Sequence, residues 1–378
     1  MHDVNIVNFT KKFHEIEEKV SAFSFQDGDR NHYWDAVRFY VFNYVYANLT
    51  GTKYIYEQNF KEETVVTRII KKIVIFFCQG VIIFRTRLSS KKILVLKCSR
   101  LLVDGEYIDP LLNPLLPLMI EEVVQIETYP GWNMSNFVLS SNFLIRLDKL
   151  DLSADELKDV EKFNNALLET FGIVFDIKNI VSQNKTLYLA QLKFYRKLFQ
   201  NTEIRNVFMV QNGIQKGLLQ AAKEHGVFVS ELQHGYIGYT HAAYSYPKTL
   251  VESDVIASPD CLFVFSDFWL KGYYSPIKKN LTIGKFKPQH IYSKIKGADW
   301  VLVISANVYH DSLMSLVKNI AFKDTNIEFL YRLHPNQYID RAKIIEELSE
   351  FRNVTVISNE KTIEECLQAC MHVLCIQS

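Results

Sequence analysis

Two short stretches carry side chains suited to holding a phosphate or moving a proton. Glu231-Leu232-Gln233-His234-Gly235 ends an apolar run, residues 227–232, that reads as a strand. Gly235 can take positive φ, so the turn would push Gln233 and His234 out beyond the strand end. A histidine there positions a phosphate, or gives and takes a proton near neutral pH. Arg332-Leu333-His334-Pro335 closes a second such run, residues 327–333. Pro335 stops further pairing and pins the loop, which holds His334 at the strand tip. Arg332 adds a permanent charge and several donors. Taken singly, each stretch reads equally well as an ordinary strand-ending turn. Two histidines at equivalent strand ends favour function. Ser305 closes the run 300–305, and Ser378 follows the run 372–376. Hydroxyls and backbone N–H groups at a strand-to-helix turn cradle phosphate, although no helix follows Ser378 in this sequence.

A group that removes a proton from an attacking hydroxyl must be a carboxylate or a histidine close to it. The segment 100–110 follows the apolar run 92–98 and holds three acids, Asp104, Glu106 and Asp109. Asp104 and Glu106 are the candidates, with Asp104 ahead because Gly105 can turn it inward. An Asp-Gly surface turn explains the same residues equally well. Glu231 is a weaker candidate and His234 the next in line. The sequence has no HExxH and no clustered Cys/His set, so neither a metal nor another cofactor is implied.

These residues need a frame that places strand ends together. Strands are expected at 92–98, 123–128, 206–210, 227–232, 261–265 and 281–283. Helices are expected at 154–170, opened by a Ser153/Glu156 capping box, at 177–199, and at 214–224, ended by Gly226. A second series begins at 300–305. Helix 311–320, strand 327–333, helix 339–350, strand 354–357, helix 362–370 and strand 372–376 follow. Strands alternating with helices give parallel sheets with helices on both faces. The fold class is therefore α/β, with two Rossmann-like domains facing a cleft, at 1–290 and 291–378. Ligands in such sheets sit beyond the carboxyl ends of the strands. The first ninety residues read as a helical, aromatic-rich cap that includes Tyr33, Trp34, Phe39 and Tyr40.

Composition narrows the classes. The chain has 378 residues, 48% of them hydrophobic, so it can bury a sizeable core. The net charge of +1, from 43 basic and 42 acidic residues, argues against a nucleic-acid binder. Six cysteines without a CxxC pair, and no apolar leader, make a reducing cytoplasm the expected home. The stretch 73–84 (IVIFFCQGVIIF) is shorter than the ~20 residues a spanning helix needs. A buried helix or strand is the favoured reading. The other is an in-plane anchor whose basic flanks meet anionic lipid at the inner face of the membrane.

From about residue 206 to 378 the chain resembles bacterial surface-polysaccharide (capsule, O-antigen or lipopolysaccharide) glycosyltransferases of the GT-B type. The resemblance lies in the order ELQHG, His241, YSYP, PD, LFVFSDFW, IGKF, YRLHP and a last strand that ends in serine. The His-Pro pair with a Ser/Thr turn is similar to that of CMP-sugar transferases of the sialic acid and Kdo kind. This resemblance implies a metal-independent inverting transfer of a sugar, CMP-linked, to a polysaccharide or lipid-linked oligosaccharide. His334 would bind donor phosphate, Pro335 would shape the loop, and Ser378 would open the Ser/Thr turn. Arg332, Ser305, Gln233 and Gly235 are grouped with them. Such enzymes continue past that turn, so the second domain is expected to be incomplete. It would then be less stable, or covered by a neighbouring copy in a homo-oligomer. The alternatives are a CDP-polyol phosphotransferase and a catalytically silent protein that binds sugar nucleotide or polysaccharide.

Overall fold

Runs such as Ile93–Lys97 and Trp300–Ile304 are apolar without alternation, which suits strands buried on both faces of a parallel sheet. The computed structural model uses them in this way. It describes residues 5–52, 54, 65–88, 90–99, 101–103, 106–119, 123–128, 139–140, 145, 151–284, 300–305 and 310–375. The chain divides into two compact units, Met1–Lys285 and Phe286–Ser378.

The first unit opens with helices α1 (Ile6–Lys19), α2 (Trp34–Thr50) and α3 (Val65–Leu88). Strand β1 (Ile93–Lys97), the hairpin β2 (Leu101–Val103) and β3 (Glu106–Ile108), then β4 (Val123–Glu127) and β5 (Leu139–Ser140) follow. Helices α4 (Ala154–Phe171) and α5 (Lys178–Gln200) lead into β6 (Asn206–Met209), α6 (Lys216–His225), β7 (Phe228–Leu232), β8 (Cys261–Val264) and β9 (Lys279–Thr282). The sheet runs β5-β4-β1-β6-β7-β8-β9, parallel throughout. The expected capping box opens α4: Ser153 Oγ accepts from Glu156 N, and Glu156 Oε2 accepts from Ser153 N at 2.8 Å. Gly226, at φ +64°, ends α6. Strand alternation sends Leu94, Leu96, Val207, Met209 and Val229 to one face, against α5 and α6. Val95 and Leu232 face the other way, toward Leu112 and its neighbours. Helices α5 and α6 cross so closely that a Cβ on Gly217 would lie 2.5 Å from the Tyr188 carbonyl oxygen.

The aromatic-rich N-terminus is helical, as its spacing predicts, and it belongs to the core of this unit. Phe13 and Trp34 are buried against Phe163 of α4, and Phe9 and Phe42 pack on Phe13. Because α2 is enclosed on nearly every side, its two charges need partners inside the protein. Arg38 meets Glu17 with two hydrogen bonds of 2.8 and 2.9 Å, and Asp35 meets Lys216 at 3.1 Å. The stretch 73–84 corrects the favoured expectation of burial. It is the middle of α3, and Ile73, Phe76, Phe77 and Phe84 are all exposed. Only one side of this helix, with Ile82 and Cys78, reaches the core.

The second unit runs β10 (Trp300–Ile304), α7 (His310–Lys323), β11 (Glu328–Arg332), α8 (Arg341–Leu348), β12 (Val354–Ile357), α9 (Ile363–Ala369) and β13 (His372–Cys375). Its sheet has the order β12-β11-β10-β13 and is also parallel. Val303, Phe329 and Tyr331 pack on α7 and α8, while Leu302, Leu330 and Ile357 pack on Cys366 of α9. The molecule thus has the two parallel-sheet α/β units that its pattern predicts. The first two residues of the expected helix 339–350 belong instead to a tight 3-10 segment, Pro335–Asp340, and α8 begins at Arg341.

Candidate functional site

In a parallel sheet the crevice for a ligand opens where the strand order reverses. In the second unit the chain steps outward from β10 to β11 to β12, then returns to place β13 on the opposite side of β10. The reversal therefore lies at the carboxyl end of β10, where Ser305 sits, 2% exposed. Ser305 Oγ is 3.3 Å from His310 Nδ1 and 3.4 Å from the Tyr331 hydroxyl, which is itself 3.2 Å from His310 Nδ1. The triangle joins the end of β10, the first turn of α7 and the last turn of β11. Burial pushes the His310 ring below its ordinary value, so it is neutral at pH 7. A neutral imidazole beside two hydroxyls and the first turn of a 14-residue helix is an environment of adjustable donors.

His334 follows β11 on the neighbouring strand end and is half-buried. Its backbone N–H donates to Gln337 Oε1 at 2.9 Å, and its carbonyl accepts from Gln337 N at 2.8 Å. Pro335 opens the 3-10 segment, where its missing N–H costs nothing. The His-Pro turn is thus fixed by Gln337, a residue that no motif or spacing singles out. Arg332 corrects the expectation. Its side chain points to the α9 side, where Nη1 donates to the Lys361 carbonyl and lies 3.6 Å from Cys366 Sγ. It braces the sheet against α9, away from the His310 triangle. Ser378 lies outside the described residues. His310 and Tyr331 were also missed, since an His-Asp pair opening a helix and a tyrosine inside a strand carry no distinctive spacing.

In the first unit the order reverses between β1, which continues to β4 and β5, and β6, which continues to β7, β8 and β9. The carboxyl ends there are residues 98–99 and 210–212. Two acids organise the first pair. Asp109 accepts from Cys98 N at 2.7 Å, and Glu127 accepts from Ser99 N at 3.0 Å. At the second pair Gln211 holds φ +66°, a left-handed conformation that a non-glycine residue adopts at a cost. Asn212 beyond it is locked to Glu231, whose carboxylate accepts from Asn212 N at 3.0 Å, Asn212 Nδ2 at 2.7 Å and the Tyr244 hydroxyl at 2.6 Å. Glu231 is fully buried, which raises its carboxyl above the ordinary range, and its role is to hold the 211–212 turn.

The Gln233-His234-Gly235 turn differs from expectation in two of its three residues. Gln233 does not project outward. It is fully buried and bridges adjacent strand ends, accepting from Phe265 N and donating to the Gly235 carbonyl, both at 2.8 Å. Gly235 is not in the left-handed region, and a Cβ built on it would meet nothing within 4 Å. His234 is the half-buried member of the three that carries titratable chemistry. It couples to His241, whose ring burial pushes down to about 4, with the charge of His234 adding to the effect. His241 Nδ1 accepts from Ala243 N at 3.2 Å, and its ring lies 4.8 Å from that of Tyr244. Asp104 lies outside the described residues. Of Glu106 only the backbone, in β3, is described. Among the described residues no three His, Cys, Asp or Glu side chains converge as a metal site requires.

No family model matches the sequence, and no curated protein is similar to it. Solved structures are similar in fold. MurG of Acinetobacter baumannii is 10% identical over 75% of this chain and 73% of its own, with a TM-score of 0.43. A glycosyltransferase of Rickettsia africae is 13% identical over 75% and 72%, with a TM-score of 0.40. A UDP-N-acetylglucosamine 2-epimerase of Rickettsia bellii is 11% identical over 76% and 73%, with a TM-score of 0.38. At these values the likeness says nothing about activity.

Proposed function

We infer that this chain is a metal-independent GT-B glycosyltransferase that moves a sugar from a nucleotide donor to a polysaccharide or lipid-linked oligosaccharide at the cytoplasmic face of the membrane. The observation that carries the reading is that His334 and the Ser305–His310–Tyr331 triangle stand at the neighbouring carboxyl ends of β11 and β10, where the strand order of the second sheet reverses. A nucleotide diphosphate or monophosphate placed there meets imidazole and hydroxyl donors, and the first turn of α7 contributes its N-terminal partial charge. The second unit therefore takes the donor, and CMP is the nucleotide that the His-Pro motif favours. The first unit takes the acceptor at the end bearing His234. Inverting transfer needs one base near the acceptor hydroxyl, and Asp104 or Glu106 supplies it. Stabilising the departing phosphate falls to His334 and the hydroxyls around His310.

The test is a thermal-shift series with CMP, CDP, UDP and GDP, since a ligand that binds the folded state raises its apparent stability. CMP is expected to shift the wild type most, and His334→Ala is expected to lose that shift. Absence of a shift with all four nucleotides removes the reading. With a labelled donor, transfer of sugar alone separates it from a polyol-phosphate transferase, whose product would carry the phosphoryl group.

A further inference from the structure

The helix α3 presents to solvent a face that a soluble helix would cover. Val66, Ile70, Ile73, Phe77, Gly80 and Phe84 follow one another at alternating steps of four and three residues, which aligns them along one side of a helix. The five side chains of this row beyond glycine, with Leu88 after it, are between 56% and 70% exposed. On the opposite side Cys78, Ile82 and Ile83 pack against the core of the first unit. Lys197 reaches up beside this seam, with Nζ 5.2 Å from the Phe76 ring centroid and 3.4 Å from Gln79 Oε1. The helix is therefore fixed to the body along its second half, with its apolar row facing away.

Charge says what covers that row. The 24 residues of α3 contain Arg68, Lys71, Lys72, Arg85 and Arg87 and no acid. At 3.6 residues per turn, Lys71 and Arg85 fall on one flank of the apolar row, and Lys72 and Arg87 on the other. This is the arrangement of a helix lying in a membrane interface, with apolar side chains down and cations at the level of anionic headgroups. Pairing with a second copy would use the same row as a coiled-coil seam. It would then set cations against cations, with no Glu or Asp on α3 to answer them. No helix among the described residues is long and apolar enough to cross a membrane, so a surface position is the one that α3 can take. We propose that α3 docks the protein on an anionic lipid surface, with Phe77 and Phe84 inserted and Lys72 and Arg87 on the headgroups. The inference deepens the membrane location of the reading above and uses no residue of the donor site.

Sedimentation with sucrose-loaded vesicles tests it on the full chain. Wild-type protein is expected to sediment with vesicles containing phosphatidylglycerol, and much less with phosphatidylcholine alone. The double variant Phe77→Asp/Phe84→Asp is expected to remain in the supernatant with both. Each cation near an anionic surface contributes about fivefold in binding, so Lys72→Glu/Arg87→Glu is expected to bind phosphatidylglycerol vesicles at least about tenfold more weakly. All four positions are exposed, and unchanged melting confirms that the variants fold. Wild-type protein that stays in solution with phosphatidylglycerol at low salt overturns the proposal. So does a vesicle-free dimer that the phenylalanine pair abolishes, because a second copy would then be the occupant. The nucleotide shift of the variants is read in parallel, so a failure here is distinguishable from a failure of the donor site.

Discussion

The two units hold their strand ends in different ways. In the first, charged groups are buried deep beneath the turn that carries His234. Glu17 grips Arg38, Asp35 grips Lys216 and the Tyr246 hydroxyl, and Glu231 grips Asn212 and Tyr244. Arg38 also lies 4.2 Å from the Tyr246 ring centroid. In the second unit the buried groups at the ends of β10 and β11 are neutral, Ser305, Tyr331 and Gln337 beside half-buried His310, and the ion pair beyond β12, Arg341 with Glu360, is partly exposed. Ion pairs that have lost their water are tolerant of nothing, because removing one partner strands the other. Neutral hydrogen bonds can be lost at small cost and can reorganise around a ligand. The first unit is thus built as a rigid platform, and the second as a site able to adapt to what it binds.

The largest effect should come from breaking the platform. Arg38→Ala leaves Glu17 buried without its partner, and is expected to destabilise the first unit by about 3–5 kcal/mol. Urea unfolding measures the loss, and hydrogen exchange locates it. A loss spread equally over both units would erase the contrast.

Acid provides the next test. His14 and His241 both have rings that burial pushes from 6.5 to about 4. The unfolded chain takes up protons on these groups as pH falls below about 6.5, while the folded chain resists until about pH 4. Their contribution is therefore complete above the unfolded value and lost as pH falls through the window between the two. The loss is expected to be on the order of 3 kcal/mol for each histidine at pH 4, concentrated in the first unit. His241→Asn keeps an acceptor for Ala243 N and should flatten the pH dependence of stability over that window. A slope unchanged by this substitution would show that His241 does not carry it.

Smaller effects probe the second unit. His334→Ala is expected to weaken nucleotide binding by about 1.5–3 kcal/mol, the range for a hydrogen bond to a charged group. Calorimetric titration measures this, and unchanged affinity in a folded variant removes His334 from the site. Tyr331→Phe deletes one corner of the triangle and should cost about 0.5–1.5 kcal/mol in stability. A loss as large as that of Arg38→Ala would show that the second unit is as rigidly built as the first.

Much of this architecture is determined locally. The buried strands declare themselves by unbroken apolar runs, α4 by Ser153 and Glu156, and the end of α6 by Gly226, because each depends on residues a few positions apart. The same is true of the two strand ends that carry His234 and His334. Direction and company were decided by the tertiary fold. Alternation puts Arg332 and Tyr331 on opposite faces but does not say which face meets α7, and α9 captured the arginine. Gln233 turned inward because the end of β8 offered it a backbone N–H, which nothing near position 233 reveals. Asp35 and Lys216, distant in sequence, became partners only when α2 was enclosed. The apolar stretch in α3 has the composition of a core segment. Its exposure follows from how little of the folded body lies against it, and composition does not encode that quantity.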